Sequence, residues 1–420
     1  MHILVINVHS AANAGDAVLN QVTVAQLQAS FPQATITFAM NDPDSHRDPW
    51  PAVGSFVYWM KEGTRWRWGQ GLKLLAASLV TAVAQRRRQS LPFRRAPWFP
   101  LLQAYAQADL VVSCAGNFLY SSGKVGLPLL IAVYTIAYAW LMGKPLYMMP
   151  QTIGPLRRGW ERRVVGWALR KMRMVFVRDA VSWQALQRLS LQNTRCYQVP
   201  DVAFAFPKGT PAAGAALLQQ NGLDPANLPR PLLGVTVIDW GAQTGTFGGQ
   251  GGYETAVAAA IRHFLQTNGG HAVLFAQVQG PTPADDDRIP AGRIYQQLFD
   301  LHSQITYITQ EVSPVELKAA YGFMDFFLGT RLHANIFSLS EGVPVVAIQY
   351  QYKTRGIMRL LGMEQWVINI ESVMPQNLSQ LLQRAWLARA EMKQHIQQTL
   401  PAITEEAGRV AARIAQDFYA

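Results

Sequence analysis

Short apolar runs bounded by Gly, Pro, Asp or Asn recur along this chain, and between them lie longer segments whose apolar positions fall at helical spacing. That alternation predicts parallel sheets with helical crossovers. In the first half, strands are expected at residues 3–8, 35–39, 110–113, 146–149, 175–177 and 196–199, with helices between them, including a basic one over 160–171. Residues 207–231 hold several Pro, Gly and Ala and read as a linker region with one or two helical turns. The pattern then restarts, with strands expected at 233–238, 272–277, 305–309, 326–328, 345–348 and 367–370, and with helical segments at 375–399 and 404–418. The expected fold is α/β: two doubly wound Rossmann-like domains with an interdomain cleft. The N-terminal domain spans 1–207, the C-terminal domain spans 208–395, and a C-terminal helix at 396–420 packs back on the first domain.

One stretch draws attention, FLGTRLHANIF followed by VPVVAIQYQYKTRG. An apolar strand runs into Thr330, an expected N-cap, and then into a helix carrying Leu332, Ile336 and Leu339 at helical spacing. Arg331 and His333 then fall in the first turn, where the helix dipole disfavours cations unless something negative is bound. The next strand is expected to deliver Tyr350, Tyr352, Lys353 and Arg355 into a loop. Carboxyl ends of strands are where ligands sit in parallel α/β folds.

The net charge of +11 and pI near 9.7 imply an acidic partner. Cys114 and Cys196 offer neither a disulfide framework nor metal-ligand spacing, which fits a reducing compartment. The opening MHILVINVHS reads as a first strand and not as a leader, so a cytoplasmic location is expected. The uncharged run at 125–143 approaches spanning length, but its Pro128, Thr135 and tyrosines favour a buried core helix. A basic, Trp-rich insertion at 61–100 interrupts the alternation and carries Arg86, Arg87, Arg88, Arg94 and Arg95. Two readings of residues 61–98 stand: a helix lying at an anionic bilayer surface, or an ordinary insertion with solvated arginines. No nucleic-acid-binding motif accompanies the charge.

Further candidates sit at predicted strand ends. Asn13, Gly15 and Asp16 follow the first strand: Gly15 suits a sharp turn, and Asp16 is either an N-cap or a group for binding or proton transfer. The loop SCAGNFLYSSGK offers Asn117, Ser121, Ser122 and Lys124, and MPQTIGPL offers Gln151, Thr152 and Gly154. Arg178 precedes Asp179 at another strand end: the two are a cap plus a surface ion pair, or Arg178 is a free arginine facing the cleft for a carboxylate or phosphate, the reading the strand end favours. Asp201 either lines the groove or caps a turn. Asp285, Asp286 and Asp287 lack the spacing of a metal site and read as a helix N-terminus complementing the dipole.

Taken in order, NAGDAVL, AGNFLYSSGK, PQTIGPL, VRDAVSWQAL, VPDVAF and GTRLHANIFSLSEGVPVVAIQYQYKTRG resemble the polysaccharide pyruvyl transferase family, most of all the members that decorate exopolysaccharides such as colanic acid. The resemblance runs from the first strand to about Gly362. It implies a GT-B-like fold and transfer of a pyruvyl group from phosphoenolpyruvate onto two hydroxyls of a sugar. The product would be a pyruvate ketal with phosphate released, and neither a metal nor a cofactor would be needed. Arg331, His333, Arg178, Lys353 and Arg355 would then bind the donor, with His333 as general acid. Asp16 or Asp201 would serve as base, and Asn13, Gly15, Asp16, Asn117 and Gln151 would contact the acceptor. That acceptor would be an exopolysaccharide or its polyprenyl-linked precursor, met at the inner membrane face through the basic insertion. The loop AGNFLYSSGK departs from the commoner glycine-rich, aspartate-bearing family pattern, and QYQYKTRG carries an extra arginine. Two rival readings are a GT-B glycosyltransferase using a sugar nucleotide and a non-catalytic scaffold of polysaccharide assembly.

Overall fold

The computed structural model describes residues 1–46, 48–60, 65–121, 126–189, 191, 194–245, 247–280 and 282–420, and the backbone alone for 65–68 and 70. Contacts divide the chain into two units. The first comprises Met1–Ala11, Leu19–Val202 and Glu406–Ala420; the second comprises Ala12–Val18 and Ala203–Glu405.

The first unit is built on eight strands: β1 (His2–Val8), β2 (Thr35–Met40), β3 (Ala52–Gly54), β4 (Leu110–Ser113), β5 (Gly116–Leu119), β6 (Leu146–Ile153), β7 (Met174–Val177) and β8 (Arg195–Gln198). The order is β3-β2-β1-β4-β6-β7-β8, with β5 paired to β6, and every pairing is parallel. β4, β6 and β7 are buried at every residue, so β7, residues 110–112 of β4 and residues 146–149 of β6 read in sequence as apolar runs, while Gln151 and Thr152 are buried polar residues farther along β6. The apolar run at 125–143 becomes the helix Leu127–Leu141, whose Leu129, Ile136 and Tyr138 are fully buried in this unit's core. Among the described residues no helix is long and apolar enough to cross a membrane. The helix Val410–Tyr419 lies on β6, where Tyr147 donates to Asp417 at 2.5 Å.

The second unit carries six strands: β9 (Leu232–Thr236), β10 (His271–Phe275), β11 (Ile305–Tyr307), β12 (Phe326–Gly329), β13 (Val345–Gln349) and β14 (Val367–Asn369). Their order, β11-β10-β9-β12-β13-β14, is all parallel and reverses between β9 and β12. In such sheets ligands bind outside the carboxyl ends at that reversal. β12 therefore delivers residues 329–331 to the place where a ligand is expected.

Several expectations give way to the structure. β3 and β5 were not foreseen: β3 has three half-buried residues, and β5 lies inside what reads as a glycine-containing loop. The 207–231 linker holds a ten-residue helix, Pro211–Gln220, capped by Thr210 and packed closely on the helix Pro314–Tyr321. The two closing helices are three, Pro375–Leu387, Arg389–Gly408 and Val410–Tyr419. Ser122, Lys124 and residues 61–64 of the insertion lie outside the described residues.

Lys318 is buried in the second unit and donates to the Phe206 carbonyl at 2.5 Å. Burial pushes its ammonium down to about 8, with Glu341 opposing and Lys208 assisting. Between that value and the ordinary lysine range near 10 the unfolded chain binds more protons, so this group's contribution to stability rises with pH. Lys318→Met should accordingly be more stabilising at pH 7 than at pH 10, by about 3 kcal/mol for a shift of this size. Urea unfolding of both chains at the two pH values measures that difference.

Candidate functional site

The centre of the second unit's site is a buried ion pair. Arg331 directs Nε to both carboxylate oxygens of Asp287, at 3.1 and 3.0 Å, and Nη2 to one of them at 2.5 Å. Asp287 is fully buried and Arg331 is 8% exposed. Asp287 also accepts the Val278 amide at 3.0 Å. Burial pushes this carboxyl up, while Arg331 and the Val278 amide hold it down. A carboxylate so bonded remains the anion that balances Arg331. The aspartate triplet does precede a helix start, as the sequence suggests, with Asp287 at the N-cap position of the helix Arg288–Gln297, but its side chain makes no cap bond and turns to Arg331. Asp286 pairs with Arg288 at 2.7 Å, and Asp287 is the interior partner of a residue 44 positions away.

Arg331 occupies the N-cap position of the helix Leu332–Ser340 and makes no side-chain cap bond, so Thr330 is not the cap. Thr330 is fully buried and meets the Tyr253 hydroxyl at 2.8 Å. The first intrahelical bond runs from the Asn335 amide to the Arg331 carbonyl, which leaves the amides of residues 332–334 outside the helical ladder. Three donors at a helix start form an anion-binding arrangement. Asn335 is 1% exposed, and neither its Oδ1 nor its Nδ2 has a hydrogen-bond partner among the described residues. A Cβ on Gly329 would fall 1.8 Å from Asn335 Oδ1, so the strand's last residue has to be glycine for that amide to lie there.

His333 is half-buried in the first turn of the same helix, and its imidazole lies directly against the backbone of Gly15. A Cβ at Gly15 would be 1.9 Å from Nδ1. Gly15 thus serves close approach, not the turn that sequence suggests. The helix Ala14–Ser30 is started by Asn13, whose Oδ1 accepts the Gly15 amide at 2.9 Å and whose carbonyl accepts Ala17 at 2.9 Å. Asn13 also forms an antiparallel bridge with Val278, next to Asp287's amide contact. Asp16 is consequently a first-turn residue and not the cap, and its carboxylate makes no hydrogen bond or ion pair among the described residues. Asn13, Gly15, Asp16, Arg331 and His333 are thereby brought together within one unit.

After β13 the chain does not enter a loop of any length. Gln351 is the N-cap position of the helix Tyr352–Leu360, so Lys353 and Arg355 stand on its first turn. Arg355 pairs with Glu364 at 3.2 Å. Tyr350 packs against Trp240 at 4.8 Å between ring centroids. Burial raises the Tyr350 phenol's pKa, Arg331 lowers it, and Asp287 and Asp16 raise it further.

The remaining candidates belong to the first unit. Arg178 is not free: its Nη1 donates to Asp201 at 2.5 Å and its Nε to Thr152 at 3.0 Å, with Arg178 6% and Asp201 1% exposed. Asp179 accepts from the Ser182 amide and caps the helix Ala180–Arg188. Gln151 is fully buried; its Nε2 donates to Ser113 Oγ and the Cys114 carbonyl, and its Oε1 has no partner among the described residues. Asn117 lies on β5 with a buried Oδ1 that likewise lacks one. Among the described residues no group of three or more His, Cys, Asp or Glu could hold a metal.

Residues 13–352 match the polysaccharide pyruvyl transferase family, and the chain belongs to it. Among curated proteins it is similar to the amylovoran biosynthesis protein AmsJ of Erwinia amylovora, 25% identical over 242 residues, 56% of this chain and 56% of AmsJ. The match therefore spans little more than half of that relative's length. Among solved structures it is similar to Alr3699/HepE of Anabaena in complex with UDP, at 15% identity over the full length of both chains with a TM-score of 0.55. It is also similar to the UDP-forming α,α-trehalose-phosphate synthase of Burkholderia xenovorans in complex with glucose-6-phosphate, at 12% identity, full coverage of both and a TM-score of 0.56. At such identities the likeness establishes the fold, a GT-B-like pair of Rossmann-type α/β units.

Removing the Arg331 side chain strands a buried carboxylate. Arg331→Ala should lower unfolding free energy by about 3 to 5 kcal/mol, whereas Arg331→Met combined with Asp287→Leu should recover most of that loss. Urea unfolding compares them, and a double variant no better than Arg331→Ala would show that the pair is not the source of the loss.

Proposed function

We propose that the protein transfers a pyruvyl group from phosphoenolpyruvate to two hydroxyls of a sugar in an exopolysaccharide or its lipid-linked precursor. The observation that carries this reading is the His333 imidazole held against Gly15, beside Asp16, on a helix start with three amides outside its ladder. Family membership supplies the reaction class.

In this reading the donor's anionic groups sit at the helix start. The helix start, Arg331 and Lys353 receive them, with Arg331 held in place by Asp287 and by a hydrogen bond to Tyr350. Arg178 and Arg355 already hold carboxylates of the protein, Asp201 and Glu364, and Arg355 serves the donor only by sharing Glu364. His333 gives a proton to the methylene carbon of the enol, and positive charge develops at the adjacent carbon. One sugar hydroxyl adds there and yields its proton to a base. The second hydroxyl then displaces phosphate from the same carbon, closing the cyclic ketal, and its proton leaves with the phosphate. Asp16 takes the base role, since its carboxylate is committed neither to a cap nor to an ion pair, while Asp201 is occupied by Arg178. Asn13 acts chiefly as the cap that orients Gly15 and Asp16. Asn117 and Gln151 belong to the first unit, where each has a buried amide oxygen without a partner among the described residues. The reaction as written balances without metal or cofactor.

His333→Ala should abolish phosphate release from phosphoenolpyruvate in the presence of acceptor, a fall of roughly 10²-fold to 10⁴-fold, with an unchanged unfolding midpoint. Near-normal turnover in that variant would remove His333 from proton transfer. Gly15→Ala should slow the reaction about 10²-fold by displacing the imidazole. In a thermal-shift comparison, phosphoenolpyruvate should raise the midpoint and UDP should not. The opposite pattern would favour a sugar-nucleotide enzyme.

A further inference from the structure

Over residues 71–86 the helix Arg65–Arg86 is apolar on two opposite sides. One side is accounted for: Leu74, Ala77, Ser78, Thr81, Ala82 and Ala84 are buried against the first unit, and Ser78 meets Tyr134 Oη at 2.6 Å. The other side is not. Leu72 is 67% exposed, Leu79 51%, Val80 50% and Val83 50%, with Ala76 exposed between them. At about 100° of rotation per residue these five positions fall on one stripe roughly 100° wide. Exposed Lys73 borders one edge of the stripe and exposed Arg86 the other. A helix apolar on both sides is ordinarily buried on both, so the outer stripe has a partner that this chain does not supply.

The segment after the helix indicates what that partner is. Arg87, Arg88, Arg94 and Arg95 are all exposed, and with Arg86 they form no ion pair among the described residues. Between them Phe93 adopts φ of 64°, a conformation in which a bulky aromatic residue is an outlier, and its ring is 45% exposed. That ring leans on the buried Trp98 at 5.7 Å, which fixes it at the surface among the arginines. Apolar side chains in a stripe, long cations at its borders and a cationic cluster at its end match a helix lying in the plane of a bilayer interface. A second copy of this chain, carrying 37 Lys and Arg against 26 Asp and Glu, complements five arginines less well than an anionic surface does. A free polyanion would leave the leucines and valines in water.

We infer that the outer face of helix Arg65–Arg86, with residues 87–95, docks this protein on an anionic phospholipid surface. Docking is reversible and peripheral, because the stripe lies along the surface and the helix is not one that spans it. The inference is independent of the donor chemistry. It would hold the protein where lipid-linked glycans are found.

The test uses the full chain and no substrate. Vesicles of phosphatidylglycerol with phosphatidylcholine should sediment the protein, and pure phosphatidylcholine vesicles should retain little of it. Arg86→Gln with Arg87→Gln and Arg88→Gln should weaken binding roughly a hundredfold. Leu79→Glu with Val83→Glu should weaken it at least about tenfold while leaving the unfolding midpoint unchanged. Binding equal on neutral and anionic vesicles, or unaltered in both variants, overturns the proposal. So does sedimentation velocity showing a dimer that Leu79→Glu with Val83→Glu dissociates, since the stripe would then be a contact between copies. A protein that binds vesicles as described and yet releases no phosphate would retain the docking face and lose the proposed reaction.

Discussion

The Arg331–Asp287 pair is the constraint on which the candidate site depends. A guanidinium and a carboxylate this deeply buried are tolerable only because each neutralises the other in bidentate geometry. The consequences spread through the backbone. Asp287 binds the Val278 amide, Val278 bridges to Asn13, and Asn13 caps the helix that carries Gly15 and Asp16. Arg331 in turn sets the start of the helix bearing His333, whose ring returns to Gly15. Sequence positions near 15, 280 and 330 are thereby closed into one network. Its residues sit on turns and helix starts, but buried charge and strand ends hold them.

The architecture explains why this network falls where it does. In the second unit the strand order reverses between β9 and β12, and residues 329–331 are the carboxyl end of β12. A ligand crevice arises there because successive crossovers leave in opposite directions. The first unit shows the same order reversal between β1 and β4, where Ser113 and Gln151 form a buried polar cluster with Asn7, a non-glycine residue at φ of 58°. Strain of that kind is retained where surrounding bonds over-determine it, and Ser113 and Thr135 both bond the Asn7 side chain.

Much of the fold was legible in the residues because parallel strands buried on both faces carry apolar runs, as in β7 and in residues 146–149 of β6, 272–275 of β10 and 345–348 of β13. β3 escaped because three half-buried residues leave no pattern, and β5 because its glycine and asparagine read as a turn. The site was legible only in outline. Arg331 and His333 stood out as cations at a helix start, yet the anion balancing Arg331 proved to be Asp287, within a triplet that local spacing presents only as a helix N-terminus. Likewise Arg178 read as free, while its partner Asp201 lies 23 residues onward. Pairings across such separations are set by sheet order, which propensity and periodicity do not encode. Asn13 took the capping role expected of Asp16 because both are good caps and the helix starts three residues earlier than an Asp16 cap would set it.

The proposed chemistry has a direct product. Incubation of the protein with phosphoenolpyruvate and a panel of pyranoside acceptors, followed by mass spectrometry of the glycans, reads that product without a coupled assay. One acceptor should gain the mass of a pyruvate less one water, with phosphate released in equal amount. Transfer of a sugar from a nucleotide donor in place of that gain would contradict it.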